Sequence, residues 1–143
     1  MKITTEEKIK LEKVAEKYGL KFIIAHGSYA TGKEHKESDL DIAVLGYDAS
    51  ETRKHILEIH NELANIFGDG PARELDSKTL HGADSLFRYY VTRDGILLHG
   101  NNSDYEEFKS YAWRDYVDSR DLRDLELIMT LAKQKLLTKL YAG

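Results

Sequence analysis

The sequence predicts a small α/β domain of the α+β kind. A short mixed sheet is expected, with helices covering one face and a helical tail at the C-terminal end. Three observations predict it. Two short apolar runs, 21–25 and 39–45, flank a glycine-serine break, as two buried strands would. Apolar residues before and after them recur at helical spacing. The length, 143 residues, suits one domain with a sizeable core.

The elements follow in order. Thr4 and Glu7, three apart, offer a capping box. Ile9, Leu11, Val14 and Ala15 repeat at helical spacing to about Lys17, and Tyr18 and Gly19 end that helix. The first strand, 21–25, is short and partly β-branched. Gly27 and Ser28 break it: glycine permits close backbone approach to a ligand, and Ser28 is a good N-cap for a short helix to Gly32. The second strand opens with Asp39, Leu40 and Asp41. A turn at 46–50 leads to a second helix, capped by Ser50, with Ile56, Ile59, Leu63, Ile66 and Phe67 on one face. Gly68, Asp69, Gly70 and Pro71 form the clearest breaker. Residues 72–76 read as the third strand. Residues 84–93 read as a helix, with Leu86, Phe87, Tyr90 and Val91 along one side. Residues 96–98 read as an edge strand. Asn102, Ser103 and Asp104 cap a long helical region, in which Leu122, Leu125, Ile128, Met129, Ala132, Leu136 and Leu140 trace an amphipathic helix. With no internal repeat or linker, residues 1–143 are expected to form one domain, with a core to about residue 100 and a tail over about 101–143.

Composition excludes several functions. Cysteine is absent, so thiol catalysis, disulfides and cysteine-based zinc sites are ruled out. The formal net charge is −4 with no long Lys/Arg cluster, which argues against a broad nucleic-acid footprint. No apolar run is long enough to span a bilayer, and residues 1–13 read as a helix rather than a signal peptide. The expected location is the cytoplasm.

The chemistry concentrates in residues 22–45. Asp39 and Asp41, two apart on a strand, point to the same face. Two carboxylates there repel each other and lose hydration, a costly arrangement unless a cation sits between them. Oxygen-only ligands select a hard cation such as Mg²⁺. The backbone N–H groups that open the helix after Gly27 suit an anion such as phosphate. An anion holder beside a divalent-metal holder is equipment for a metal-bound nucleoside triphosphate.

Gly27 and Ser28, ten intervening residues, then Asp39-x-Asp41 resemble the signature of the nucleotidyltransferase superfamily related to DNA polymerase β. In a chain this short the pattern is most similar to the minimal nucleotidyltransferases, antitoxin partners of HEPN-domain toxins. The resemblance is strongest over residues 20–46 and extends to about residue 100, where 95–99 is similar to a strand end in these proteins. It implies the nucleotidyltransferase fold, ATP as substrate and Mg²⁺ as cofactor. It implies Asp39 and Asp41 as catalytic metal ligands, and Gly27 and Ser28 at the triphosphate. A third carboxylate is implied on a neighbouring strand; Asp76 aligns with it, and Glu74, on the same strand face, is the alternative. The family often carries Arg where Thr31 stands, a contact that Lys33 or Lys36 can replace. The resemblance further implies an antitoxin that adenylylates a tyrosine hydroxyl of its HEPN toxin.

Two other functions fit the same residues: a small-molecule transferase of the antibiotic-modifying type, and an antitoxin that acts by binding alone. Other chemistries find little support. Among His26, His35, His55, His60, His81 and His99 there is no His-x-x-x-His pair, and no P-loop or Gly-x-Ser-x-Gly elbow occurs. His26 is expected to be a hydrogen-bonded structural histidine. Tyr89, Tyr90, Tyr105, Tyr111, Trp113 and Tyr116 read as packing residues, with a protein interface as the minority reading. The charges from Arg114 to Asp124 read as a solvated helix face.

Overall fold

The computed structural model describes residues 1–36 and 38–142. Eleven elements alternate along them: α1 (Thr5–Tyr18), β1 (Leu20–His26), α2 (Ser28–Thr31), β2 (Leu40–Gly46), α3 (Ala49–Lys54), α4 (Ile56–Phe67), β3 (Leu75–Thr79), α5 (Ser85–Asp94), β4 (Ile96–His99), α6 (Asn102–Asp118) and α7 (Arg120–Tyr141). The strands form one sheet in the order β3-β2-β1-β4. β1 pairs antiparallel with both β2 and β4, whereas β3 lies parallel to β2. The mixed sheet is thus present, with β4 at an edge.

Strand alternation divides the core in two. Ile23, Ala25, Leu40, Ile42 and Val44 face α1 and α4, meeting Leu11, Val14, Ile59 and Leu63. Phe22, Ile24 and Ala43 face the other way, meeting Val91 of α5 and Tyr105 of α6. The helices therefore cover both faces, not one. The polar faces of α5 and α6 had hidden this second layer.

The predicted capping box of α1 forms, with Glu7 N donating to Thr4 Oγ1 at 3.1 Å and Thr4 N donating to Glu7 Oε1 at 3.0 Å. Elsewhere the caps shift. Asp48, not Ser50, caps α3, accepting from Glu51 N at 3.1 Å, and the second helical region breaks into α3 and α4 at His55. Asn101 caps α6, accepting from Asp104 N at 3.0 Å. In both cases an acceptor one or two residues earlier reaches the first-turn N–H groups.

The third strand begins three residues later than expected. Asp69 fixes its start: Oδ1 accepts from Leu75 N at 3.0 Å, while Oδ2 lies 3.2 Å from His60 Nε2. Buried Leu75 and Leu80 bracket a run of partly exposed residues, so the strand lacks an apolar pattern.

α6 and α7 meet at Ser119. Arg123 pins this corner, donating to Ser85 Oγ at 3.1 Å and to Tyr116 O at 2.8 Å, and lying 4.2 Å from the Tyr116 ring centroid. Arg88 bridges to Asp115 at 3.1 Å. Part of the charge run at 114–124 is therefore structural rather than solvated. Beyond the corner, α7 buries no residue at all. Tyr105 is buried as a packing residue, but Tyr90, Tyr111 and Trp113 are exposed. Among the described residues no helix is long and apolar enough to cross a membrane.

Candidate active site

The end of β1 and the start of β2 build the site. Gly27 follows β1 at φ 73°, a left-handed conformation that glycine alone adopts freely. A Cβ at this position would collide with Asp41 Oδ2. Glycine is thus favoured by its torsion, and any side chain here would also oblige the Asp41 carboxylate to shift. Ser28 opens α2 directly. It is the first helical residue and not the cap, which is Gly27; no side chain caps this helix. Thr31 Oγ1 donates back to the carbonyls of Gly27 and Ser28, each at 3.3 Å. Its hydroxyl closes the turn on itself, where a longer basic side chain would reach outward.

Strand register assembles the acids. His26 pairs with Asp41 across β1 and β2, and Asp41 pairs with Asp76 across β2 and β3. Directly opposed residues point to one face, so His26, Asp41 and Asp76 form a row over three strands. Asp76 is the second residue of β3, not its last, and lies beside Asp41 because the two strands run parallel. Asp39 precedes β2 and is exposed. It lines a cleft of about 470 Å³ with Lys36, Pro71, Ala72, Arg73 and Glu74. Glu74 lies outside the strand; its carbonyl accepts from Leu40 N at 2.8 Å, so its backbone aligns β2 and β3 while its side chain is exposed. Of the two lysines weighed against Thr31, Lys36 reaches this cleft. Lys33 is exposed, and its charge bears on Asp94.

The electrostatics follow from this packing. Burial pushes the Asp41 carboxyl above its usual range, the charges of Asp76 and Asp39 push it further, and Lys78 opposes them. Lys78 faces the same side as Asp76, two residues on, and its Nζ is 3.4 Å from Asp76 Oδ2. It also sits 5.5 Å from the Phe87 ring centroid. His26 is not the hydrogen-bonded histidine expected. Its Nε2 is buried with no partner among the described residues, its ring meets Phe87 edge-on at 5.6 Å, and burial lowers its pKa to about 4.

Sequence reasoning passed over Lys78 and the position of His26 in the row. The signal for Lys78 was the period-2 spacing from Asp76, invisible while the strand was placed too early. For His26 it was adjacency to Gly27 at a strand end.

The donor set suits a hard divalent cation: carboxylate oxygens whose mutual repulsion a cation would relieve. Asp39, Asp41 and Asp76 are the residues that would have to converge to hold one. As the side chains stand, no three His, Cys, Asp or Glu groups converge tightly enough for a metal ion among the described residues, and Asp76 is turned toward Lys78.

Residues 9–104 match the family described as "Polymerase beta, Nucleotidyltransferase". A relative named protein adenylyltransferase MntA, from Aphanizomenon flos-aquae (strain 2012/KM1/D3), is 30% identical over 115 residues, covering 75% of this chain and 73% of the relative. A second of that name, from Shewanella oneidensis, is 34% identical over 89 residues; the match covers 62% of this chain and spans 60% of that relative's length. A crystal structure described as a toxin-antitoxin with AMP-PNP superposes with a TM-score of 0.67 at 25% identity, covering 87% of this chain and 98% of its counterpart.

Proposed function

This chain belongs to the polymerase beta nucleotidyltransferase family, and on that premise we propose that it is a Mg²⁺-dependent adenylyltransferase. Its donor is ATP, its acceptor is a tyrosine hydroxyl of a HEPN-domain toxin, and the transfer makes it that toxin's antitoxin in the cytoplasm. Residues 1–143 act as one nucleotidyltransferase domain, with the site in the core to about residue 100 and the tail over about 101–143.

The observation that carries this reading is the register of Asp41 with Asp76, closed by the Gly27 turn against Asp41. The relatives' name, protein adenylyltransferase, supports transfer of AMP to a protein. The superposed toxin-antitoxin structure with an ATP analogue supports the nucleotide and the class of partner. The apolar side chains that α7 leaves exposed support a protein partner.

In the reaction the acceptor oxygen forms a bond to the α-phosphorus while the bond from that phosphorus to the bridging oxygen breaks, releasing pyrophosphate. Catalysis of this kind is largely positioning and charge neutralisation. Asp39, Asp41 and Asp76 hold Mg²⁺, which supplies charge neutralisation for the triphosphate when bound. Gly27 lets the backbone approach the phosphates, and the Ser28 hydroxyl donates to a phosphate oxygen. The proton leaving the acceptor is taken up at the Asp76 carboxylate, which is open to solvent. The test is to incubate the chain with α-labelled ATP, Mg²⁺ and the product of the adjacent gene. Label on a tyrosine of that product is expected. Label on a small molecule only, or protection of cells without any transfer, would refute the reading.

A further inference from the structure

The two acids of the row, Asp41 and Asp76, do not close with Asp39 around one point, and β3 shows what Asp76 is turned toward instead. Asp76 and Lys78 alternate on one strand and share its face. The Lys78 ammonium lies 3.4 Å from Asp76 Oδ2 and 5.5 Å from the ring centroid of Phe87 of α5. Phe87 also contacts His26, at the other end of the row. This cation–π contact favours the position of the ammonium beside Asp76. Among the described residues no other basic side chain makes an ion pair with Asp39, Asp41 or Asp76.

We propose that Lys78 is a resident counter-ion of the carboxylate row, which keeps Asp76 turned along β3 and must yield Asp76 before a divalent cation can be held. The inference rests on the adenylyltransferase reading for what the cation is used for, not for the competition itself. Both members of the ion pair are about half exposed, 55% for Lys78 and 45% for Asp76. Such a pair is weak and salt-sensitive, so a divalent cation displaces it without a large penalty. Lys78 is thus a positioning residue. It offsets the negative charge of the carboxylates while the site is unloaded and reduces the affinity for metal in proportion. The ammonium freed on loading stays near the site, tethered against Phe87.

The test measures Mn²⁺ alone, by electron paramagnetic resonance, on the full chain without nucleotide. Lys78→Met is expected to bind Mn²⁺ about threefold to tenfold more tightly, the effect of removing one unit charge near a divalent ion in a largely solvated site. Lys78→Arg keeps the charge and is expected to match the wild type. In chelator, Lys78→Met should melt earlier, and adding Asp76→Asn should restore the midpoint, a rescue that a merely structural lysine would not show. Equal or weaker Mn²⁺ binding by Lys78→Met overturns the counter-ion role. If the wild type transfers AMP and binds Mn²⁺ but Lys78→Met changes neither affinity nor midpoint, only this inference fails. If the wild type binds no Mn²⁺ with or without ATP, the adenylyltransferase reading fails with it.

Discussion

Replacing Asp41 by Asn separates activity from stability in opposite directions. The carboxyl is raised by burial first and by Asp76 and Asp39 next, so its charged form destabilises the folded chain. At an effective dielectric between about 20 and 80, a like charge about 5 Å away, the general spacing of directly opposed strand residues, costs roughly 1–3 kcal/mol before screening. Asp41 is only partly buried, so solvent reduces the recoverable gain to about 0.5–1 kcal/mol. In a chain of this size that raises the midpoint by about 1–4 °C. The sign follows from linkage: a raised folded-state pKa means the native state holds the extra proton, so stability falls as pH rises through the window above the ordinary carboxylate value. The advantage of Asp41→Asn should therefore be full at pH 8 and vanish near pH 3, where the wild-type carboxyl is protonated in both states. Fluorimetric melting in chelator across this range reads it. Transfer of labelled AMP should meanwhile drop on the order of a hundredfold or more, the scale for deleting one positioned electrostatic group. Full transfer by the variant would refute the metal-ligand role. A midpoint several degrees lower would show that Asp41 is structural.

Other changes test other parts of the site. Asp76→Asn should cost on the order of a hundredfold in transfer rate, with ATP affinity by calorimetry changed much less, whereas Glu74→Gln should be nearly silent because its side chain lies outside β3; the reverse pattern would shift the functional register by two residues. Gly27→Ala should destabilise by about 1–3 kcal/mol in denaturant titration, through its left-handed torsion and the collision with Asp41 Oδ2; an unchanged midpoint would refute the close approach. His81 accepts from Gly46 N at 2.9 Å, and burial, then the charge of Arg53, lowers its pKa. The unfolded chain thus holds the extra proton just below pH 6.5, and stability should fall as pH drops through that value; His26 and His99, also lowered by burial, add to this slope, so His81→Gln should reduce it in part between pH 7.5 and 5, and an unaltered slope would show that His81 contributes nothing to it.

Candidate residues could be nominated from the sequence because most of them are local. Gly27, Ser28, Asp39 and Asp41 lie within fifteen residues, but β2 begins at Leu40 and leaves Asp39 just outside the strand whose alternation was expected to pair it with Asp41. Asp76 needed a partner strand, and its register was hard to read because β3 has no apolar run. The strand is set by Asp69 and His60 across a loop and a helix, contacts no local pattern encodes. The strand's face, and with it Lys78, was lost for the same reason. Helices α5 and α6 were found by spacing, yet their placement on the second face of the sheet was not, since each buries only two residues and their polar surfaces resemble solvent-facing ones. The cap errors at Ser50 and Asn102 share one cause: neighbouring polar residues are equally good acceptors in sequence, and backbone geometry picks between them.

α7 has a consequence for the supply of this protein. A helix of 22 residues that buries none of them draws little from the fold beyond its Arg123 anchor, and most helical stability in proteins comes from tertiary packing. Fraying there hands proteases an unprotected substrate. A copy made without its partner should be trimmed from the C-terminal end within the time that a covered copy survives, and limited proteolysis with and without the adjacent gene product measures the difference. Were the proposed partner to cover α7, the number of intact molecules in a cell would track the amount of that partner, whatever the rate of synthesis.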